Sequence, residues 1–563
     1  MNRNRTTVLS AMAIMAVLYA APARGQQTVE RQIQQLIKEA AARVAADQGT
    51  AQQTGGTPTP ASGPTVRLTL DDAVRAALDH NLNISVQRLN PEIQDISLAS
   101  LRAIYRPALT SQLASQSQVS PANSTLAGST QPGAPVNTGL TTYNGGVAQN
   151  IPWWGGSYQF TINNNKQTTT SLNTLYNPTF NSNWALQVTQ PLLRGRETDA
   201  NRQTIAVTKI NRDITDVQLR STIANTLSNV REAYWNYVFA VQSVDVARGQ
   251  LDLANQLVSD NEVRVQVGTM APLDVATARS QAATARQNLI VAQGTMGTAE
   301  IALKQLLVSG TDDPLWNSTI DPVDRPEFNP VAIDVAAAVR NALSARTDLV
   351  IAKKNLEQNV VTAKFLRDQL LPQADLVANY GLVGIGGDIL AKNGTGVNQI
   401  ATGIAVPGGY LDALSTLVGR NFPRWTVTLN MSYPIGLSSA QATVARAQVE
   451  ANQNQAQIKQ VELQIATDVT NAAVTVRSNI ERVQAAQVAR ELAQQALDAE
   501  QDKFRVGLST NYLIIQQQNA LAAAQNNELQ AILNYRSSEV EFERLQQTTL
   551  QNLGVTIVSN ATR

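Results

Sequence analysis

Two long segments of the chain carry apolar residues at intervals of three and four. Residues 438–506 contain neither Gly nor Pro, and residues 197–267 contain only Gly249. A period near 3.6 is that of one face of an α-helix. The apolar face of the second segment comprises Ile458, Val461, Ile465, Val469, Ala472, Val476, Ile480 and Val483. The pattern predicts two uninterrupted helices of about 70 residues, each roughly 100 Å long at 1.5 Å per residue, with this stripe as core packing.

Between the helical segments the period changes to two, as expected for strands with one apolar and one polar face. The alternation is clear over residues 425–433 and 184–189, continues over 376–382 and is weak over 109–119. These segments predict about four strands per chain. The intervening residues 120–181 and 384–423 are rich in Gly, Asn, Thr and Ser, and resemble extracellular loops.

An additional hairpin is plausible inside the first of these predicted loops. Tyr158, Phe160 and Ile162 alternate with polar residues there. This pattern does not say whether such a hairpin lies within a membrane.

The chain repeats its own order of motifs. Ala73-Val74-Arg75 recurs as Ala338-Val339-Arg340, and Val267-Gly268 recurs as Val506-Gly507. Pro107 and Pro372 end the first helix of each copy, because proline is not tolerated in a helix interior. The duplication predicts a first structural repeat over residues 65–325 and a second over 326–555, followed by a tail at 556–563.

The N-terminus has the pattern of a secretory signal. Arg3 and Arg5 precede an apolar run that ends at small residues, which predicts a signal peptide over residues 1–25. Its removal takes away three arginines and no acid, and changes the formal charge from +1 to −2. Residues 26–64 then predict a short periplasmic helix, Val29 to Ala46, and a Gly/Pro/Thr linker.

Composition excludes several kinds of chemistry. The chain has no cysteine and one histidine, so thiol nucleophiles, disulfides and thiolate metal sites are excluded. The near-neutral charge without a basic patch argues against nucleic-acid binding. No catalytic residue, cofactor or metal site is predicted, and we expect the protein not to be an enzyme.

Crossing a membrane would require the predicted strands. No segment after the signal offers about 20 consecutive apolar residues. About four strands cannot close a barrel alone, since small bacterial barrels have about eight and lipid does not tolerate open edges. A membrane location therefore predicts oligomerisation.

The residues between Leu68 and about Gly554 resemble TolC-like outer-membrane efflux proteins. The motifs that carry this resemblance are Leu68-Thr69-Leu70-Asp71-Asp72-Ala73-Val74, Gln190-Pro191-Leu192-Leu193-Arg194-Gly195, Val267-Gly268-Thr269 with Leu273-Asp274-Val275, and Val506-Gly507-Leu508. Each motif alone is weak, but their order and duplication are specific. The resemblance implies a mainly α fold with a β-barrel portion: a long α-helical periplasmic tunnel and a twelve-stranded membrane barrel shared by a homotrimer. It also implies a periplasmic adaptor protein, an inner-membrane pump and outer-membrane lipid as partners.

By this resemblance, the two Val-Gly pairs are turns at the periplasmic tips, where the adaptor docks and the channel opens. The expected tip residues are Val267, Gly268, Thr269, Val506, Gly507 and Leu508. Glycine suits such a turn because it adopts positive φ. The alternative is that these are plain helix-reversal turns without a partner.

The resemblance also places a gate near the tips. The family often has acidic residues six and nine positions after the second tip glycine, but this chain has Leu513 and Gln516 there. Asp274 remains after the first glycine, either as a gate residue or as a helix N-terminal acid favoured by the helix dipole. The arginine that often pairs with it is replaced by Ser509. This departure puts an acidic gate ring in doubt.

Trp184 and Trp425 are candidate membrane-interface aromatics, although a buried tryptophan in a soluble sheet would have the same pattern. Taken together, the sequence predicts an export duct of a tripartite efflux or type I secretion system in the outer membrane, with a periplasmic extension. The alternative is a soluble periplasmic or surface coiled-coil scaffold.

Overall fold

The computed structural model describes residues 64–122, 127–129, 133–325, 328–330, 332–393, 400–433, 435 and 438–555. The predicted signal peptide, the helix Val29 to Ala46, nearly all of the linker that follows it, and the tail 556–563 lie outside the described residues. The chain forms two compact units, each assembled from three chain segments. Both units draw on the long helices, so neither corresponds to one sequence repeat, and the repeat boundaries stay a prediction.

The described chain is mainly helical, as predicted. In chain order the helices are α1 (Leu70–His80), α2 (Leu82–Arg102), α3 (Ala200–Gln266), α4 (Pro272–Leu307), α5 (Val335–Ala345), α6 (Thr347–Asp368), α7 (Tyr410–Val418), α8 (Ser439–Arg505), α9 (Asn511–Gln546) and α10 (Thr549–Asn552). The two long helices, α3 and α8, each have 67 residues, and α4 and α9 each have 36. Within the described residues, no helix combines the length and apolar character needed to cross a membrane.

The strands are β1 (Thr65–Leu68), β2 (Ala108–Ser120), β3 (Val136–Asn150), β4 (Ser157–Thr169), β5 (Tyr176–Pro191), β6 (Thr319–Pro322), β7 (Gln373–Asn393), β8 (Ile400–Val406) and β9 (Pro423–Ser432). They form a two-stranded parallel sheet, β1-β6, and a seven-stranded antiparallel sheet with the order β2-β3-β4-β5-β7-β8, in which β9 also pairs with β7.

Of the described residues, the first unit contains those up to Leu82, those from Val230 to Arg325 and Ala496–Leu529. Its small sheet is fixed to α3 by two buried tyrosines. The Tyr234 hydroxyl lies 2.9 Å from the Asp324 carboxylate, which also accepts a hydrogen bond of 2.6 Å from the Leu70 amide. The Tyr237 hydroxyl donates to the Ile320 carbonyl. Burial raises the pKa of both tyrosines, so they stay neutral donors well above neutral pH.

The Leu68-Thr69-Leu70-Asp71-Asp72 motif has a local physical cause in this unit. Thr69 is the N-cap of α1, and its hydroxyl accepts from the Asp72 amide at 3.2 Å and donates to the Asp72 carboxylate at 2.7 Å. The first of these hydrogen bonds satisfies a free amide at the helix start. The hydrogen bond from Thr69 is also the main reason that the pKa of Asp72 is lowered.

The second unit contains the described residues within Asn83–Asn229, within Phe328–Gln495 and from Gln530 to Val555. Its helices bury two apolar clusters that use the predicted stripe of α8. Ile465 and Val469 pack with α5 and α6, whereas Val476 and Val483 pack around Tyr535 of α9. The interpretation of this stripe as core packing is confirmed at these four residues.

The seven-stranded sheet belongs to the second unit and contains more strands than the predicted four. The four predicted alternating segments lie in β2, β5, β7 and β9, and three further strands are present: β3, β4 and β8. The plausible hairpin around Phe160 is therefore confirmed, and it pairs with β2 on one side and β5 on the other. Of the two segments predicted to be long loops, 120–181 is mostly strand, and 384–423 contains the end of β7, β8 and the helix α7. In the first, a hydrogen-bonded ladder on both sides accommodates Asn and Gly, which have low strand propensity.

The short helix α7 packs directly on β7. A side chain at Gly384 or Gly386 would collide with the α7 backbone, since an added Cβ would lie 2.0 Å from the Ala413 carbonyl oxygen or 2.5 Å from its amide nitrogen. Glycine at these positions lets helix and strand approach at backbone distance. The Tyr410 hydroxyl of α7 reaches Asn164 on β4 at 3.0 Å.

Candidate functional site

Both predicted tips are helix C-termini with the same backbone geometry. Gly268 has φ +77° and Gly507 has φ +80°. After α3 the Thr269 amide donates to the Arg264 carbonyl and the Gly268 amide to the Val265 carbonyl; after α8 the Leu508 and Gly507 amides bond to Lys503 and Phe504 in the same way. Each set is a Schellman motif, which satisfies the last free carbonyls of a helix and needs a left-handed residue at the glycine position.

The requirement for glycine at the tips is conformational rather than spatial. An added Cβ at Gly268 or Gly507 would meet nothing within 4 Å. Positive φ alone therefore selects glycine at both positions.

The side chains next to the two glycines are exposed, and all but one of them are apolar. Val267 is 67% exposed, Val506 71% and Leu508 79%, while Thr269 is exposed and polar. Leu273 and Tyr512, at the start of the following helices, are also largely exposed. Each turn thus presents an uncovered apolar cap that could be buried by a partner protein.

The tip residues are held together by a small apolar cluster beneath the turns. Leu257 of α3, Ala278 of α4, Phe504 of α8 and Ile514 of α9 are buried in contact. The Arg264 guanidinium lies 4.2 Å from the centre of the Phe504 ring and donates to the Phe504 carbonyl at 3.1 Å. The two helical hairpins therefore meet in one core just below their turns.

Two buried amides cross this core. Asn261 of α3 donates from Nδ2 to Oδ1 of Asn511 at 2.9 Å, and Asn511 donates from its own Nδ2 to the Asp274 carbonyl at 3.1 Å. Both asparagines are at most 4% exposed. Sequence reasoning missed this pair, although Asn261 follows Leu257 by four positions on the apolar stripe of α3, where a polar residue is unexpected.

Of the predicted gate residues, Asp274 lies in the first turn of α4, and Leu513 and Gln516 lie in the first two turns of α9. Leu513 is partly exposed, Gln516 is exposed and Asp274 is half-buried. Asp274 is the acid in the first turn of α4, after Pro272 at its start. Within the described residues, no cation lies at ion-pair distance from its carboxylate. The helix-start interpretation of Asp274 fits this geometry.

Ser509, which stands where the family often has an arginine that pairs with the acid after the first tip glycine, forms a different hydrogen bond. Its hydroxyl donates to the Glu500 carboxylate of α8, which Lys503 also approaches at 3.0 Å. The hydrogen bond from Ser509 is the main cause that lowers the pKa of Glu500. The structure thus links Ser509 to its own hairpin and not to Asp274.

A second candidate surface is the apolar face of the seven-stranded sheet. Trp184 and Trp425 both lie on this face: Trp425 pairs with Tyr380 across β9 and β7, and the Trp184 and Tyr380 rings lie 5.7 Å apart. Trp425 is 70% exposed and Trp184 is half-buried. The two tryptophans therefore share one face with one bridging tyrosine.

The described part of the chain contains no group of three or more histidine, aspartate or glutamate side chains placed to hold a metal ion.

Comparison with known protein families decides the identity of this architecture. The model of the outer membrane efflux protein family matches residues 147–308 and 338–546, about two thirds of the chain. The chain belongs to the outer membrane efflux protein family. The matched segments cover α3, α4, α8 and α9, and therefore include both tips. This family assignment places the protein in the outer membrane and favours a channel over the soluble scaffold.

Solved structures of outer membrane channels share the fold of this efflux-family chain at low sequence identity. The Campylobacter jejuni CmeC outer membrane channel matches with a TM-score of 0.58 and 14% identity, covering 90% of this chain and 93% of that one. The outer membrane protein VceC from Vibrio cholerae matches with 0.57 and 14%, covering 85% and 96%. The open state of the Neisseria gonorrhoeae MtrE channel matches with 0.56 and 15%, covering 85% and 88%. A comparison with curated proteins found no match.

Proposed function

We propose that this outer membrane efflux protein is the passive export duct of a tripartite efflux or type I secretion system. It receives substrates from a periplasmic adaptor and an inner-membrane pump, which supply the energy. The observation that carries the proposal is the open seven-stranded sheet with one apolar and one polar face. Such a sheet suits a channel wall between lipid and water.

The sheet cannot remain open in a membrane. Its described strands leave β2 and β9 without a partner on one side, and every residue of β9 and nearly every residue of β2 is exposed. Unpaired backbone amides and carbonyls are too costly in lipid, so copies of the chain must pair edge to edge. Strands β2 and β9 run in opposite directions, which suits antiparallel closure between neighbours. We propose a homotrimer.

The tips are the proposed adaptor-docking site. Val267, Val506 and Leu508 present apolar caps on turns whose backbone is fixed by the Schellman motifs. Burying such caps would contribute favourably, at about 25 cal/mol per Å² of apolar surface removed from water. The neighbouring Leu513, Gln516 and Asp274 form the proposed gate region, without an acidic ring on α9.

Single-channel recording tests the proposal. The unheated, detergent-purified protein is incorporated into a planar bilayer and its mass is measured in parallel. We expect discrete conductance steps from a trimer-sized species. A silent species of monomer mass would contradict both the duct and the trimer.

Adaptor docking needs a separate test. Val506→Asp and Leu508→Asp place charge on the proposed apolar cap, whereas Asn526→Asp places the same charge on an exposed position of α9 farther from the turn. The cap variants should lose binding to a periplasmic adaptor protein from the same organism, while their conductance in bilayers is kept. Equal binding by all three variants would show that the tips are plain turns.

A further inference from the structure

The hairpin β3-β4 has the features of membrane wall rather than of an extracellular loop. It is hydrogen-bonded on both sides along its length: thirteen residue pairs join β2 to β3, thirteen join β3 to β4 and eleven join β4 to β5. A loop hairpin folded away from the wall would not be inserted between β2 and β5 in continuous register.

Beside Trp184 and Trp425, the apolar face of the sheet runs through this hairpin. Farther along β4 the same face carries Asn164 and Lys166, and α7 packs on it at Gly384 and Gly386. Following the pairing register from β2 to β9, one row of directly opposed residues reads Leu109, Val147, Phe160, Leu186, Tyr380 and Trp425. All six side chains are apolar or aromatic, and each of the six strands contributes one. The Phe160 and Trp184 rings lie 6.0 Å apart across β4 and β5, so the hairpin also joins the aromatic group at the predicted interface.

The adjacent row, which points to the opposite face, is small or polar across the same strands. It reads Ala108, Ala148, Gln159, Gln187, Asn379 and Thr426. Apolar and polar faces that alternate in register over six strands match the lipid and lumen sides of a transmembrane barrel.

We infer that each chain contributes six strands to the barrel wall (β2, β3, β4, β5, β7 and β9), so that a trimer closes with about eighteen strands rather than the twelve of the family resemblance. This inference rests on the proposed trimeric duct. The six strands alternate in direction, and β9 of one chain meets β2 of the next in the antiparallel sense. Strand β8 pairs only with the end of β7 and stays outside this count.

A wider wall changes what the duct can pass. Barrel diameter grows roughly in proportion to strand number, so the outer-membrane portion should be about 1.5 times as wide as a twelve-stranded one. The added lumen surface is uncharged and rich in amide and hydroxyl groups: Gln159, Thr161, Asn163 and Asn144 are on the polar face. The added surface is thus suited to bulky substrates and would itself impose little charge selection; the charged side chains of the polar face, Asp375 and Arg424, lie on β7 and β9.

Site-directed spin labelling tests the placement of the hairpin in the intact protein, because the chain has no cysteine to remove. Phe160→Cys and Gln159→Cys report on the two faces of β4, and Val427→Cys and Thr426→Cys are the matched references on β9. In lipid nanodiscs, the label at 160 should match that at 427, with high collision with oxygen and low collision with a water-soluble nickel complex. The label at 159 should match that at 426, with the opposite preference.

The outcomes separate this inference from the proposed function. If label 427 faces lipid but labels 160 and 159 both face water, the hairpin lies outside the wall and the six-strand inference is overturned. If label 427 itself faces water and the species is not a trimer, the proposed duct fails as well. A second readout is the size of the polyethylene glycols, added from the extracellular side, that can enter the channel and lower its conductance. The largest polymer that enters should correspond to an entrance about 1.5 times as wide as that of a twelve-stranded barrel. A polymer size limit equal to that of a twelve-stranded barrel would contradict the inference.

Discussion

The side-chain amides of Asn261 and Asn511 meet at 2.9 Å inside an otherwise apolar core, directly below the two tip turns. The pair joins α3 of one hairpin to α9 of the other, and Asn511 extends the connection to the Asp274 backbone of α4. A buried amide that loses its partner costs more than a lost apolar contact, because the remaining group stays desolvated. The pair therefore makes the relative position of the two hairpins specific.

Asn511→Ala should loosen the tips. It removes two hydrogen bonds and leaves Asn261 unpaired, which should cost about 1–3 kcal/mol of stability and accelerate hydrogen exchange in residues 261–274. Asn526→Ala on the exposed face of the same helix is the matched control. In a double-mutant cycle with Asn261→Ala, we expect a coupling near 1 kcal/mol. Fully additive effects would show that the two amides do not act together.

Gly268→Ala should destabilise its turn by about 1–2 kcal/mol, because alanine is strained at φ +77° although space is available. Gly268→Asn should cost less, since asparagine tolerates the left-handed region. Gly294→Ala, in the interior of α4 where an added Cβ also meets nothing, should instead stabilise by about 0.5–1 kcal/mol. The order of stability of the three variants is measured by thermal unfolding. Equal effects at 268 and 294 would refute the conformational explanation.

The proposed gate region has no acidic residue at 513 or 516, so the channel should respond weakly to trivalent cations. Leu513→Asp combined with Gln516→Asp would place two carboxylates on the first turns of α9 in each chain. Three copies would then form a charged ring of the kind that binds cations. Block of single-channel current by hexaamminecobalt(III) should appear in this variant and be weak in the parent and in Asn526→Asp. Strong block of the parent would show that another acid, with Asp274 the first candidate, lines the gate.

Charge on the two faces of β4 should have opposite consequences if the strand lies in the membrane wall. Phe160→Arg places a cation on the lipid side, at a cost of about 2–4 kcal/mol near the bilayer midplane. Gln159→Arg places it on the lumen side and should be tolerated. The two variants are compared by the amount of heat-labile oligomer recovered from outer-membrane fractions, which should be lower for Phe160→Arg than for Gln159→Arg. Equal yields would place β4 outside the bilayer.

The buried tyrosines of the first unit predict an alkaline limit to stability. The pKa of both Tyr234 and Tyr237 is raised by burial above the ordinary value of 10. The stability that depends on their neutral form is complete below pH 10 and is lost as the pH rises toward the folded-state pKa, because only the unfolded chain ionises readily there. Thermal unfolding measured against pH should decline above about pH 10.

Tyr237→Phe separates ionisation from hydrogen bonding. The variant should lose about 1 kcal/mol at neutral pH, since the Ile320 carbonyl loses its donor, and should decline less steeply at alkaline pH. Tyr512→Phe, at an exposed position, is the control and should change neither. Ionisation can be followed by the absorbance of tyrosinate in the folded protein. If every tyrosine ionised near pH 10, burial would not be raising the pKa of Tyr234 and Tyr237.

Local sequence patterns determined most of the helical part of this protein. The stretch without Gly or Pro between residues 438 and 506 leaves a helix as the only regular structure with a continuous apolar face, and α8 covers Ser439–Arg505. The Val-Gly pairs located two turns at helix ends, because the freedom to adopt positive φ belongs to glycine itself. Alternation located four strands because their apolar residues are large.

The tertiary structure alone decided what depends on partners distant in the chain. Strands β3 and β4 are poor strand formers by composition, and only pairing with β2 and β5 supplies the ladder that holds Asn164 and Gly146 in extended conformation. Asn261 and Asn511 are 250 positions apart, so no local pattern could reveal their hydrogen bond. Helix periodicity and turn geometry are encoded within a few residues, whereas register and buried polar pairing exist only once separate segments have been brought together.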